Sequence, residues 1–127
     1  METEKSVDSG AHLNMKGCID ACMDAERNCI ETMTHCLALG GMYASRDRIR
    51  MLLDCANMTG LNAEMMMRGS DFYQMTCDLT AKVSSLCSVI FEDIDDPIIA
   101  KCVKACQLCS ATCQYMANFT NGKTIQN

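Results

Sequence analysis

The feature that most constrains this chain is the spacing of its cysteines. In the segment KCVKACQLCSATCQYM, residues 101–116, four cysteines follow one another at steps of four, three and four residues, and the segment contains neither glycine nor proline. Steps of three and four place side chains on one face of an α-helix. A soluble helix normally buries leucine on such a face. The spacing therefore predicts a helical core lined with thiols.

The composition favours one domain made of long helices. The chain has 127 residues, which is enough for a single core. It has 11 Cys and 12 Met but only three Phe, three Tyr and no Trp, so sulfur side chains must supply much of that core. One proline and seven glycines are too few for a turn-rich β architecture.

The cysteines are predicted to be free thiols. Pairs such as Cys18/Cys22 and Cys109/Cys113 stand four residues apart, which separates their Cβ atoms by about 5–6 Å on a helix. A disulfide needs about 3.5–4.5 Å, and the count of 11 is odd. Free thiols fit a reducing compartment. The N-terminal METEKSVDSGAHLN lacks the pattern of a signal peptide, so the expected location is cytoplasmic unless the sequence is a trimmed mature form.

Four helical segments are predicted, at about residues 14–39, 45–68, 71–91 and 97–118, with flexible tails at both ends. Gly40-Gly41 and Gly69 end the first two helices, while Ser45, Ser70-Asp71 and Asp96-Pro97 begin the last three. Short loops between long helices make neighbours antiparallel. The expected fold is all-α, an up-down-up-down four-helix bundle in a single domain covering residues 1–127.

Each helix has an inward-facing row of residues at steps of three and four, which we call its seam. All eleven cysteines lie on seams: Cys18, Cys22, Cys29, Cys36, Cys55, Cys77, Cys87, Cys102, Cys106, Cys109 and Cys113. The other predicted seam residues are Met15, Ala25, Thr32, Met51, Met58, Asn62, Met65, Tyr73, Thr80, Ser84, Phe91, Ile99 and Met116. A single buried cysteine is an ordinary small apolar residue, but eleven on seams indicate a cavity lined with metal ligands.

The choice of metal follows from charge. Thiolates select Cu(I), zinc or iron–sulfur clusters. Four thiolates around Zn²⁺ leave a charge of −2, so a stack of zinc sites would be badly unbalanced in a bundle core. One Cu(I) per thiolate leaves none, and Cu(I) accepts two or three sulfurs. Ferredoxin spacing is absent. The seams therefore favour multiple Cu(I) ions.

The sequence resembles the copper storage proteins, cysteine-lined four-helix bundles that hold many Cu(I) ions. The resemblance covers about Met15 to Met116. It rests on Cys22, Cys29 and Cys36 of the first helix and on the Cys-x3-Cys-x2-Cys-x3-Cys of the last. The middle helices depart from the pattern because they carry only three cysteines, and Thr32, Thr80 and Ser84 stand where thiols would be possible. A lower capacity than in richer members is expected.

The resemblance implies reversible copper storage, a tetrameric assembly and an end of the bundle where Met or His first receives the metal. An antiparallel layout brings one set of candidates to one end: Met15, Met65, Met66, Met75 and Met116. The opposite end offers His35, Met42 and Met51 near Cys36. By count, the methionine-rich end is the preferred one.

Other functions fit less well. A zinc-binding or redox-responsive thiol protein is the main alternative. An enzyme is not expected, because cysteine catalysis needs a positioned histidine and only His12 and His35 are present. A net charge of −5 and scattered basic residues argue against nucleic acid, and no apolar run is long enough to span a membrane. The expected partners are copper ions and a copper donor or acceptor protein.

Overall fold

The fold is described by a computed structural model that covers residues 13–119. Its four helices are α1 (Met15–Leu39), α2 (Arg46–Met67), α3 (Tyr73–Phe91) and α4 (Pro97–Ala117). A short 3-10 helix, Gly41–Ala44, joins α1 to α2, and residues 13–119 contain no strand. His12 and most of both predicted tails lie outside the described residues. No helix within residues 13–119 is long and apolar enough to cross a membrane.

The four helices form an antiparallel bundle. Each helix packs against the next one along the chain, and α4 packs against α1 to close the ring. The prediction of an all-α up-down-up-down bundle is confirmed. One end of the bundle, here called the Met15 end, holds the starts of α1 and α3 and the ends of α2 and α4. The other end is called the His35 end.

Helix caps set where α1, α2 and α4 begin and end. The Ser45 hydroxyl accepts a hydrogen bond from the Arg48 amide at 3.3 Å. The Asp96 carboxylate accepts from the first free amides of α4 at 2.9 and 3.0 Å, directly before Pro97. Helix α1 ends at Gly40, whose φ of 74° favours glycine.

The predicted start of α3 was wrong by two residues. Ser70 and Asp71 lie in a turn, and the first helical residue is Tyr73. The Ser70 hydroxyl accepts a hydrogen bond from the Phe72 amide at 3.0 Å, so it closes this turn and does not cap the helix.

Gly60 in the middle of α2 lies close to α1. A Cβ atom at this position would overlap the carboxylate of Glu26. That carboxylate is the far end of a long side chain and can move aside, so alanine at this position would not separate the two helices.

The seams predicted for α1, α3 and α4 are buried, apart from the half-buried Met15 and Tyr73 at the Met15 end. The seam predicted for α2 was partly wrong. Cys55 and Asn62 are buried as expected, but Met51, Met58 and Met65 are only half-buried. The residues that face the core in their place are Leu52, Thr59 and Met66. The predicted row and the observed row share Cys55 and Asn62 and differ by one residue at the positions between and beside them, so spacing alone did not separate them.

The bundle is expected to fold without metal. Its thiols are neutral when protonated, and toward the His35 end they pack together with the buried hydrocarbon side chains of Leu52, Phe91 and Ile99, which need no ligand. Circular dichroism of reduced, chelator-treated protein should show a mainly helical chain that melts cooperatively. Leu52→Ala provides the control, because it removes a buried side chain and should lower the free energy of unfolding by about 2–5 kcal/mol. A random-coil spectrum that becomes helical only with metal would contradict this expectation.

Candidate metal centre

All eleven cysteines are buried free thiols. None exposes more than 1% of its surface. The seam spacing explains this burial, because each cysteine lies on the helix face that points toward the bundle axis.

One set of sulfur atoms lies toward the Met15 end. This set, called the Met15-side thiols, consists of Cys18, Cys22, Cys77, Cys109 and Cys113. It forms two groups of three that share Cys113. The Cys113 sulfur lies 3.6 Å from that of Cys18 and 3.5 Å from that of Cys22. Three convergent sulfurs are a suitable ligand set for a soft monovalent ion.

The second set, called the tetrad, lies nearer the middle of the bundle. It consists of Cys29, Cys55, Cys87 and Cys106, one from each helix. All four sulfur atoms lie within 4.8 Å of one another. The Cys106 sulfur is 3.8 Å from Cys29 and 3.9 Å from Cys55.

Two side chains extend these sets. Cys102 lies outside the tetrad, but its thiol donates to the Cys29 sulfur at 3.9 Å. The Ser84 hydroxyl lies between the sets: it donates to the Cys109 sulfur at 3.5 Å and is 4.0 Å from that of Cys55.

Cys36 is buried near the His35 end and belongs to neither set. Ten of the eleven thiols therefore form a nearly continuous core, interrupted by one hydroxyl.

Asn62 is the one buried side-chain amide among the Met15-side thiols. Its Nδ2 lies 3.5 Å from the sulfurs of Cys22 and Cys77 and 3.4 Å from that of Cys113. The Thr76 hydroxyl donates to its Oδ1 at 2.7 Å, which holds the amide nitrogen toward the sulfurs. Asn62 was predicted to lie on a seam, but no role was predicted for it. Its contact with the thiols could have been expected, because it is a strong hydrogen-bond donor in a row of apolar and thiol side chains.

Contacts between thiols distribute the protons unevenly. Hydrogen bonds with Cys106 and Cys29 lower the pKa of the Cys102 thiol below its ordinary value. Hydrogen bonds with the same two residues lower the pKa of Cys55. The pKa of Cys106 is raised far above its ordinary value, because its proton is held between neighbouring sulfurs. A metal ion must displace such protons to bind.

The Met15 end offers soft ligands leading to the thiols. A pocket of about 400 Å³ opens there, and its lining includes Met15, Tyr73, Met116 and Phe119. Behind it Met66 is buried, and the Cys77 thiol donates to its thioether sulfur at 3.8 Å. The other two candidates lie further out: Met65 is half-buried, and Met75 is 70% exposed on the outer surface.

The His35 end is closed differently. Leu52, Phe91 and Ile99 are among its largest fully buried side chains. The His35 Nε2 lies 2.8 Å from the Asp96 carboxylate, which also caps α4. The hydrogen bond with His35, together with those from the helix amides, holds the pKa of Asp96 below its usual range. Met42 is 65% exposed, and Met51 is half-buried.

A comparison with known families identifies the chain. Residues 11–118 match the family described as copper storage protein. The chain belongs to the copper storage protein family. That assignment agrees with the thiol-lined core and with the resemblance drawn from the cysteine spacing.

Solved structures support the family and the fold. A protein from Nitrosospira multiformis, Nmul_A1745, is 31% identical, with a TM-score of 0.78 over 81% of this chain and 94% of its own. The Cu(I)-bound copper storage protein BsCsp3 is 29% identical, with a TM-score of 0.77 over 80% of this chain and 96% of its own.

A sequence relative adds to these structures. The cysteine-rich protein YhjQ of Bacillus subtilis is 29% identical over 80% of this chain and 94% of its own length.

Asn62 is expected to make the Met15-side thiols more acidic. Replacing it with leucine keeps similar volume but removes the N–H donor, while the Thr76 hydroxyl keeps its second acceptor, the Tyr73 carbonyl. A hydrogen bond to a charged group contributes about 1.5–3 kcal/mol, so thiolate formation should shift upward by about one to two pH units. Ultraviolet thiolate absorbance of the metal-free protein during a pH titration measures this shift.

Thr59→Val is the matched control. Its buried hydroxyl bonds to backbone carbonyls of its own helix and to no sulfur. The control should leave thiolate formation unchanged. Equal titration of Asn62→Leu and wild type would show that the amide does not stabilise the thiolates.

Proposed function

We propose that this protein stores copper by binding several Cu(I) ions reversibly through its core thiolates. The observation that carries the proposal is the nearly continuous set of ten buried thiols. Sulfur atoms that contact each other in this set lie 3.5–3.9 Å apart. Membership of the copper storage family supports the same reading.

The charges in the core favour a monovalent ion. Among the described residues the buried polar side chains are Asn, Thr and Ser, so no buried lysine or arginine balances a thiolate. An uncompensated buried ion costs several kcal/mol. Cu(I) replaces a proton with another single positive charge, so the core stays neutral as ions accumulate. We propose all eleven cysteines as copper ligands, with Cys36 the most isolated of them.

We propose that copper passes through the Met15 end. Met15 and Met116 line the pocket there, and Met66 belongs to the same buried cluster as Met116 and accepts from the Cys77 thiol. Thioethers are neutral and soft, so they can hold Cu(I) briefly without adding charge. At the opposite end Leu52, Phe91 and Ile99 pack in the same cluster as the thiols, and a nitrogen of His35 is already hydrogen-bonded to Asp96.

The setting of the protein is also part of the proposal. Free thiols require a reducing compartment, and we propose the cytoplasm.

A tetramer and a copper donor or acceptor protein remain predictions. Self-association is supported by an apolar row on the outside of α1, where Met23, Ile30 and Leu37 are spaced by seven residues and are each about half exposed.

The storage proposal predicts the copper capacity. Anaerobic titration of reduced protein with Cu(I) should continue to about one ion per cysteine, on the order of ten per chain, because each ion neutralises one thiolate. Loading should release about one proton per ion. Apparent affinity should therefore fall roughly tenfold for each unit by which pH is lowered, since protons compete for the same sulfurs.

Two variants change the capacity in opposite directions. Replacing Cys102, Cys106, Cys109 and Cys113 with alanine should remove about a third of the capacity, in proportion to the ligands lost. Ser84→Cys should add about one ion, because its side chain lies between two thiols. Saturation of the wild type at one or two Cu(I) ions would refute storage.

The route of uptake is tested by replacing soft ligands with similar hydrocarbon. Met15, Met66 and Met116 changed together to leucine should preserve fold and capacity, since such swaps usually cost little. Copper transfer from a competing ligand should become slower. Met67→Leu is the control at the same end, because Met67 is 57% exposed and is not among the pocket-lining residues. Unchanged transfer in the triple variant, with slower transfer after His35→Gln and Met42→Leu, would move the route to the His35 end.

A further inference from the structure

The tetrad differs from the Met15-side thiols in its geometry. Its four sulfurs come from four different helices and converge on one point, whereas the Met15-side thiols form two groups of three that share Cys113. Four convergent sulfurs are the ligand set of a tetrahedral ion, and structural zinc sites are commonly built from four cysteines in this way.

The dimensions of the tetrad fit one such ion. A zinc–sulfur bond of about 2.3 Å places the sulfurs of a regular tetrahedron about 3.8 Å apart. The measured separations from Cys106 are 3.8 Å to Cys29 and 3.9 Å to Cys55, and no separation within the tetrad exceeds 4.8 Å. The sulfurs are thus nearly in place before any metal binds.

We propose that the tetrad, Cys29, Cys55, Cys87 and Cys106, is a site for one tetrahedral divalent ion of the zinc type. The inference rests on the geometry of these four sulfurs and is independent of copper storage. An ion at this point is bonded to all four helices, so it holds them in register when copper is scarce. Copper loading draws on the same thiols, so the two metals compete for the tetrad.

Charge limits the bundle to a single site of this kind. Four thiolates and one divalent ion leave a charge of −2, which a core without buried basic residues tolerates poorly. The Met15-side thiols cannot form a second such site, because no four of their sulfurs converge in the same way.

Cobalt(II) is the probe, because a tetrahedral tetrathiolate cobalt centre absorbs visible light strongly. Reduced, metal-free, full-length protein is titrated with Co(II) without oxygen. The visible bands should rise to an end point of one ion per chain and disappear when zinc is added. Thermal unfolding followed by circular dichroism should shift to higher temperature with one equivalent of zinc, because the ion binds the folded chain.

Cys87→Ser and Cys77→Ser form a matched pair. Both residues lie on α3 and are fully buried, but only Cys87 belongs to the tetrad. Cys87→Ser should abolish the tetrathiolate bands, and Cys77→Ser should keep them with the same end point. Cys55→Ser should repeat the result for Cys87 and replaces it if that variant does not fold.

Three results would overturn the site. They are weak bands without a sharp end point, an end point of two or more ions, and equal losses in Cys77→Ser and Cys87→Ser. A Cu(I) titration of the wild type separates this outcome from the storage proposal. If copper binding continues to about one ion per thiol while cobalt fails, only the divalent site is lost. If copper stops at one or two ions while cobalt behaves as expected, storage fails and the site remains.

Discussion

The structure of residues 13–119 depends on the free energy required to place a thiolate in a core where no lysine or arginine is buried. A buried anion without a partner costs several kcal/mol, and the described core contains no lysine or arginine to act as that partner. The thiols must therefore hold protons or metal. This constraint links the fold to metal binding. The same sulfur atoms pack the core when they are protonated and bind ions when the protons are displaced.

The protonated core is held together by contacts that a hydrocarbon core lacks. Thiols donate to neighbouring sulfurs, Asn62 donates to three of them, and Ser84 joins the two sets. These hydrogen bonds satisfy groups that would otherwise be buried without partners. Only Thr32 and Thr80 have buried hydroxyls without a partner among residues 13–119. Both lie at seam positions, where they are buried like the cysteines but provide no thiolate.

The fold was predictable because cysteine spacing and helix punctuation agree. Steps of three and four residues place the cysteines of α1 and α4 inward, and Asp96-Pro97 begins α4 where expected. The α2 seam was predicted less well, because rows one residue apart share Cys55 and Asn62. Local spacing cannot separate such rows.

The burial of the thiols was predictable from the sequence, but their arrangement was not. A sequence places each thiol on an inner face, yet the grouping of sulfurs depends on the axial register of four helices, which no local pattern encodes. The tetrad needs one cysteine from each helix at the same height, and its members are separated by up to 77 residues. The role of Asn62 depends on the same register, since its amide meets sulfurs from α1, α3 and α4.

The two ends of the bundle differ in a way that the thiols alone would not produce. At the Met15 end, the thioethers of Met15 and Met116 line a pocket, and the buried thioether of Met66 accepts from the Cys77 thiol, which is why we propose that copper enters there. At the His35 end, hydrocarbon packing and the His35–Asp96 hydrogen bond tie the end of α1 to the start of α4. These contacts do not depend on whether the neighbouring thiols hold protons or metal. Under the proposed entry route at the Met15 end, protons can exchange for ions without breaking them.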